Sequence, residues 1–211
     1  MAELVKTDFR VSVRELREES YRALRAKGYE WGQAQAASRI AAEAQVLWGN
    51  GLSAIEHECS RFLGKRRLPV STGRAAISNR GSSFAIWGPM AASLAVSHAP
   101  STATIKGVRC SETLATAFWD LEEFSSWSWG DGQCQFAIDS KGDLIGKSDS
   151  SSNKSSIKIA KLAESETGYK VLLSASQRKQ LIRDSLTNGV EVDSESWAAL
   201  KKHSWKFLVP E

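Results

Sequence analysis

Through the first third of the chain apolar residues recur at helical spacing, and from about Trp127 onward they alternate with polar ones at strand spacing. Ser12 and Glu15 stand at the separation of a capping box, in which hydroxyl and carboxylate each satisfy a backbone N–H of the other, so a helix is predicted to open there. Val13, Leu16, Ser20 and Leu24 fall near one face of it, and it runs to about Lys27 before Gly28 ends it in the left-handed geometry glycine tolerates. A second helix is predicted over 32–48. Its small residues Ala34, Ala37, Ala41 and Ala44 form a flat stripe suited to close approach of another helix. Ser53 and Glu56 repeat the capping-box spacing, and Ile55, Cys59, Phe62 and Leu63 supply the buried face of a third helix that Gly64 closes.

The period is then lost. Residues 68–83 mix Gly, Ser, Arg and Pro and read as a connector carrying short strands. From Ser83 to His98 the apolar residues Phe84, Ile86, Trp87, Met90, Leu94 and Val96 are interrupted by Gly88-Pro89, where a strand is expected to yield to a helix beginning near the proline. A strand over 105–110 precedes a short amphipathic helix carrying Leu114, Ala117, Phe118 and Leu121. Trp127 and Trp129, the turn Gly130-Asp131-Gly132, and Cys134, Phe136 and Ile138 give the clearest hairpin signal in the chain. A turn at 140–143 leads into Leu144-Ile145, the serine-rich 148–156 reads as a flexible loop, and 157–162 and 169–173 are expected to complete an antiparallel meander. Helices at 177–186 and 194–203, the latter burying Trp197 and Leu200, flank a turn at Asn188-Gly189, and 207–209 is read as extended. The expected fold is α+β: a helical segment, 1–64, packed on a mainly antiparallel sheet with short C-terminal helices, 65–211, as a single domain.

Composition narrows the class. Apolar residues at 42% and charged residues at 25% describe a globular chain. No window approaches the roughly 18 apolar residues of a membrane span, and the charged start (Glu3, Lys6, Asp8, Arg10) lacks the apolar run of a signal peptide, so the expected compartment is the cytoplasm with no membrane partner. Cys59, Cys110 and Cys134 are odd in number and far apart in sequence, so neither a disulfide framework nor a zinc site is implied, and each is read as a small buried hydrophobe. Between Arg61 and Arg80 stand six basic residues and no acidic one, a patch that attracts anions. No reader motif accompanies it, so nucleic acid is not an expected partner.

Two stretches, Gly28-Tyr-Glu-Trp-Gly-Gln-Ala and Glu191-Val-Asp-Ser-Glu-Ser-Trp-Ala-Ala-Leu, followed by Val209-Pro210, resemble the ends of an uncharacterised bacterial protein family, a domain of unknown function of about this length. The resemblance implies a bacterial protein without an assigned activity; members similar to it continue past the Val-Pro into a Ser- and Gly-rich tail. The opening from Val11 to Gly28 is also similar to the first helices of the type-2 malate/lactate dehydrogenase family. There this chain has Asn50-Gly51 where that family has a His-Gly step, and beyond about fifty residues nothing in the sequence resembles the family's nicotinamide-binding body.

Neither glycine fingerprint of nucleotide binding occurs, so no cofactor is expected. Gly130-Asp131-Gly132 and Asp139 to Asp143 lack the ligand spacing of a calcium loop and read as hairpin turns, His57 is followed by no histidine at the next helical turn, and no metal site is expected. No nucleophile elbow is present, and Cys110, ahead of a helix start, reads as a buried strand-end thiol. His57 and His203 are expected at the surface; Trp87, Trp119, Trp127 and Trp129 could line an aromatic cavity, but the alternation in the hairpin places them first in the core or at a subunit interface. The candidate ligand site lies between the Arg74–His98 segment and the sheet, with Arg80 binding an anionic group, Trp87 forming an apolar wall and His98 hydrogen bonding; the structural alternative is a solvated Arg80, a core Trp87 and a capping His98. The expected function is a small-molecule-binding or accessory protein of metabolism, self-associating as a homo-oligomer with an anionic small molecule as ligand. The alternatives are an enzyme acting on an anionic metabolite and a protein-interaction module. If the alanine stripe is a packing face, Ala41→Leu overfills it at a cost of about 1–3 kcal/mol, read as a lowered denaturation midpoint.

Overall fold

The computed structural model describes residues 8–60, 70–73, 75–79, 81–98, 102–121, 126–148, 156–163 and 167–207. In chain order the elements are β1 Asp8–Val11, α1 Val13–Ala26, α2 Trp31–Trp48, α3 Gly51–Ser60, β2 Val70–Gly73, β3 Ala76–Ser78, α4 Phe84–His98, β4 Ala103–Lys106 and α5 Ala115–Trp119. There follow β5 Trp127–Gly130, β6 Cys134–Ile138, β7 Leu144–Ser148, β8 Ser156–Lys161, β9 Lys170–Leu173, α6 Ala175–Asn188, β10 Val190–Asp193 and α7 Ser194–Ser204. The fold class is α+β, with a sheet that is antiparallel at every pairing but one. The chain divides into two compact units, residues 1–66 with 180–211 and residues 67–179.

In the first unit α1 is the helix its sequence specifies: Ser12 Oγ accepts from the Glu15 N–H at 3.1 Å, and the Glu15 carboxylate accepts from the Ser12 N–H at 2.9 Å. Leu16, Ser20, Ala23 and Leu24 face inward. Ala34, Ala37, Ala41 and Ala44 are buried, and α2 packs against both α1 and α3. The closest approach is at Gly51, where an added Cβ would lie 1.7 Å from the Ala41 carbonyl oxygen. The capping box expected at Ser53 does not form, because α3 has already begun at Gly51 and the Ser53 hydroxyl donates to Asn50 O at 2.8 Å. The cap comes from α2 instead. Gln45 Oε1 accepts from the Leu52 N–H at 2.9 Å while its Nε2 donates to Glu191 O at 3.1 Å. That carbonyl belongs to β10, which pairs antiparallel with β1 in a two-stranded sheet the sequence did not announce. The last segment also differs, since Trp205–Phe207 forms a 3₁₀ turn in place of an extended strand; 208 and 209, like Phe62, Leu63 and Gly64 of the expected third helix, lie outside the described residues.

The second unit is an eight-stranded sheet in the order β2-β3-β4-β8-β5-β6-β7-β9. Strands β5, β6 and β7 follow one another as the hairpin signals require, but β8 does not extend the meander. It inserts between β4 and β5, where Ile157 lies opposite Ile105, and Ile159 lies opposite Ala103 on one side and Trp129 on the other. Burying Ile159 between two apolar neighbours, and Ile157 beside Ile105, explains that position, as an edge would leave one side of Ile159 in water. The serine-rich stretch before β8, 149–155, lies outside the described residues. Helix α4 runs unbroken through Pro89, against the expected strand-to-helix change. An interior proline removes one helical hydrogen bond at a cost of roughly 3 kcal/mol. The burial of Ala85, Ile86, Trp87, Ala91, Ala92 and Ala95 offsets it, and α4 approaches α5 closely at Gly88, where an added Cβ would lie 3.3 Å from the Ala117 methyl. Phe118 of α5 then stacks on Trp127 and Trp129, each at 5.5 Å between centroids.

Gly51→Ala is expected to cost more than about 3 kcal/mol, the upper end of ordinary overpacking, because the clash is with backbone that has no rotamer to change; a urea midpoint equal to that of the parent protein would refute this contact. His203 titrates below the 6.5 of a free imidazole because burial, with Lys27, Lys206 and Lys202 nearby, disfavours its charged form. The unfolded chain therefore binds that proton more readily, and the stability this group contributes is present above pH 6.5 and lost as pH falls through its lowered folded value. His203→Gln should flatten that part of a Tm-against-pH curve, whereas an unchanged slope would assign it to other groups.

Candidate functional site

Among the described residues the one parallel pairing joins β3 to β4, with α4 as the crossover between them. In such a unit the carboxyl ends of the strands and the amino end of the helix meet, the end at which mostly parallel α/β sheets hold ligands. Asn79 directly follows β3 at this end, with 3% of its surface exposed. Its N–H donates to Lys106 O at 2.8 Å, and its Nδ2 donates both to Ser82 O at 3.0 Å and to Gly107 O at 3.2 Å. One side chain thus ties the turn entering α4 to the turn leaving β4. Asn79 Oδ1 is buried and accepts no hydrogen bond among the described residues.

Beside it Gly81 has φ +81°, and a Cβ placed there would meet nothing within 4 Å, so the turn is open on that side. The Ser83 carbonyl accepts the N–H groups of Ile86 and Trp87, opening α4 with no acidic residue in its first turn. Amides at the start of a helix have no carbonyl one turn earlier, and with the helix dipole they favour an anion.

Of the three sequence candidates, Trp87 lies in the first turn of α4 with 6% exposure and is a core residue on this measure. Arg80 lies outside the described residues, as does the side chain of His98, the last residue of the helix. Trp87 and His98 are separated along α4 by about 16 Å of helical rise, so the helix does not bring them together. Asn79 was missed, although an asparagine two residues before Gly81 and ahead of the serines that open a helix is a recognisable turn signal.

A second concavity, about 390 Å³, lies over the β5–β6 turn and is lined by Ser128, Gly130, Asp131, Gln135 and Lys158 among others. Asp131 Oδ1 accepts from the Gln133 and Cys134 N–H groups at 2.9 and 3.0 Å, and Asp139 Oδ1 does the same for Lys141 and Asp143 at 2.9 and 3.0 Å, so both acidic turns are built as hairpin turns. Among the described residues no group of three or more His, Cys, Asp or Glu side chains converges as a metal site, and no helix is long and apolar enough to cross a membrane. His57 is exposed, while Cys59 is fully buried, and burial pushes its thiol up to about 12.

No protein-family model matches the chain, and no curated protein sequence matches it. Solved structures do. A dehydrogenase from Sinorhizobium meliloti superposes with a TM-score of 0.63 at 8% identity, over 94% of this chain and 100% of that one. Malate dehydrogenase from Pyrococcus horikoshii OT3 gives 0.61 at 8% identity, over 100% and 99%, and that from Entamoeba histolytica 0.59 at 7%, over 97% and 99%. At such identities the likeness is one of fold, and it runs through nearly the whole chain, whereas the sequence similarity to dehydrogenases was confined to the opening helices.

Asn79→Ala removes both side-chain bridges and is expected to cost about 1–3 kcal/mol, as for other buried hydrogen-bonded groups. A chemical-denaturation midpoint within error of the parent would show that the two turns hold without it.

Proposed function

We propose that this protein binds a small anion bearing a hydroxyl group, such as a hydroxycarboxylate, at the β3–α4 turn. The observation that carries the reading is the buried Asn79 Oδ1, an acceptor without a donor at the amino end of a crossover helix. A ligand hydroxyl supplies the missing donor, and its carboxylate or phosphate is held by the helix-start amides. Arg80, next in sequence, supplies the positive charge, and Trp87 the apolar wall at the first turn. His98, at the far end of α4, is assigned no contact with the same ligand.

Catalysis on that ligand is the second reading. It is supported by the fold shared with proteins described as dehydrogenases, two of them malate dehydrogenases. Malate is a hydroxydicarboxylate, so it serves as the first probe for either reading.

Titration calorimetry with malate and with inorganic phosphate separates the hydroxyl from the anionic contribution. Malate should bind more tightly than phosphate, and Arg80→Ala should weaken both by roughly 10- to 100-fold, the worth of a charge-assisted hydrogen bond. Absence of heat and of thermal stabilisation with either probe would sink the binding proposal; malate binding without malate oxidation when a nicotinamide dinucleotide is added as hydride acceptor would remove the enzymatic one.

A further inference from the structure

Two of the three cysteines, unrelated in sequence, are neighbours in space. Cys110 is half-buried in the segment ahead of α5, its thiol donates to the Cys134 carbonyl at 3.5 Å, and the Cys134 thiol is near enough to help hold the proton on Cys110. Cys134, at the start of β6, is 6% exposed, and Cys59 belongs to the other compact unit.

Both backbones are held at this point. Ser111 O accepts the Trp129 indole N–H at 2.9 Å, and the Cys134 N–H donates to Asp131 Oδ1 at 3.0 Å. The thiols are therefore kept adjacent by the fold itself, as an intramolecular reaction requires.

We propose that Cys110 and Cys134 form a redox pair that a low-molecular-weight disulfide, such as glutathione disulfide, converts into an intramolecular disulfide. Cys110, the more accessible thiol, loses its proton and attacks one glutathione sulfur; the glutathione S–S bond breaks and one glutathione leaves as thiolate, taking up a proton. Cys134 then attacks the Cys110 sulfur of the mixed disulfide, the Cys110–glutathione bond breaks and the second glutathione leaves with the Cys134 proton. Two protein thiols are oxidised and one glutathione disulfide is reduced to two thiols. Burial holds the Cys110 proton well above the ordinary thiol range, which slows the first attack at neutral pH and makes it faster in alkali. The product ties the segment entering α5 to β6 and constrains the turn at Asp131.

Trypsin makes the test direct, because no Lys or Arg lies between Cys110 and Lys141, so both cysteines fall in one peptide that excludes Cys59. The protein is incubated with glutathione disulfide at about pH 8, denatured with iodoacetamide and digested. The expected result is a 110–141 peptide about 2 Da lighter than the dithiol form, unalkylated, and restored to the alkylatable dithiol by prior dithiothreitol. The oxidised protein should also unfold at a higher temperature than the reduced one, a rise lost in Cys110→Ser and Cys134→Ser. A doubly alkylated peptide, a lasting glutathione adduct on either cysteine, or a peptide cross-linked to a second chain would each overturn the proposal, independently of how the serine variants fold.

Discussion

The indole N–H of Trp129 is inside the protein, and the carbonyl that receives it, Ser111 O at 2.9 Å, fixes how the sheet meets its helices. A buried donor left without an acceptor costs about 1–3 kcal/mol, so the segment at Ser111 is held where that carbonyl reaches Trp129. From there the chain turns through Glu112–Leu114 into α5, capped by Ser111 Oγ on the Thr113 N–H, and Phe118 settles on Trp127 and Trp129. Trp129 also contacts Phe136 at 6.1 Å, extending the aromatic layer to β6. The same segment brings Cys110 against Cys134, so one buried hydrogen bond organises both the aromatic core and the thiol pair.

Helix α4 is located by what α5 offers it. Gly88 and Ala117 leave so little between the helices that their backbones approach closely, and the small residues Ala91, Ala92 and Ala95 continue the buried surface. With α4 positioned this way over parallel β3 and β4, its amino end stands at the carboxyl ends of those strands, and Asn79 joins the two turns. The candidate ligand site is thus a consequence of packing farther along the helix. Small side chains do similar work in the other unit, where Gly51 rests on the backbone of α2 and Gln45 joins α2, α3 and β10.

The likeness to dehydrogenase structures fits this division of labour. At 7–8% identity few side chains are shared, yet the chains superpose over nearly their whole length. Packing rules of layers and crossovers constrain a backbone far more than they constrain the residues that fill it. Activity belongs to particular groups at a site, so a shared fold does not by itself carry a reaction from one chain to another.

Local information in the sequence determined α1 with its capping box, the stripe of α2, the two acidic hairpin turns, the β5–β6 hairpin and the burial of Trp127, Trp129, Trp197 and Leu200. Each depends on neighbours a few residues away, and periodicity and turn chemistry record such neighbours. Tertiary structure alone decided the insertion of β8 between β4 and β5, the passage of α4 through Pro89, the β1–β10 pairing and the capping of α3 by Gln45. Those outcomes join residues distant in sequence, and burial of whole faces outweighed the local signals, as at Ser53 and Pro89. The site followed the same rule: Trp87 was visible as a large apolar residue, but the role of Asn79 depended on Lys106 and Gly107, and the pairing of Cys110 with Cys134 on a bond between Trp129 and Ser111, because only the folded chain makes those residues neighbours.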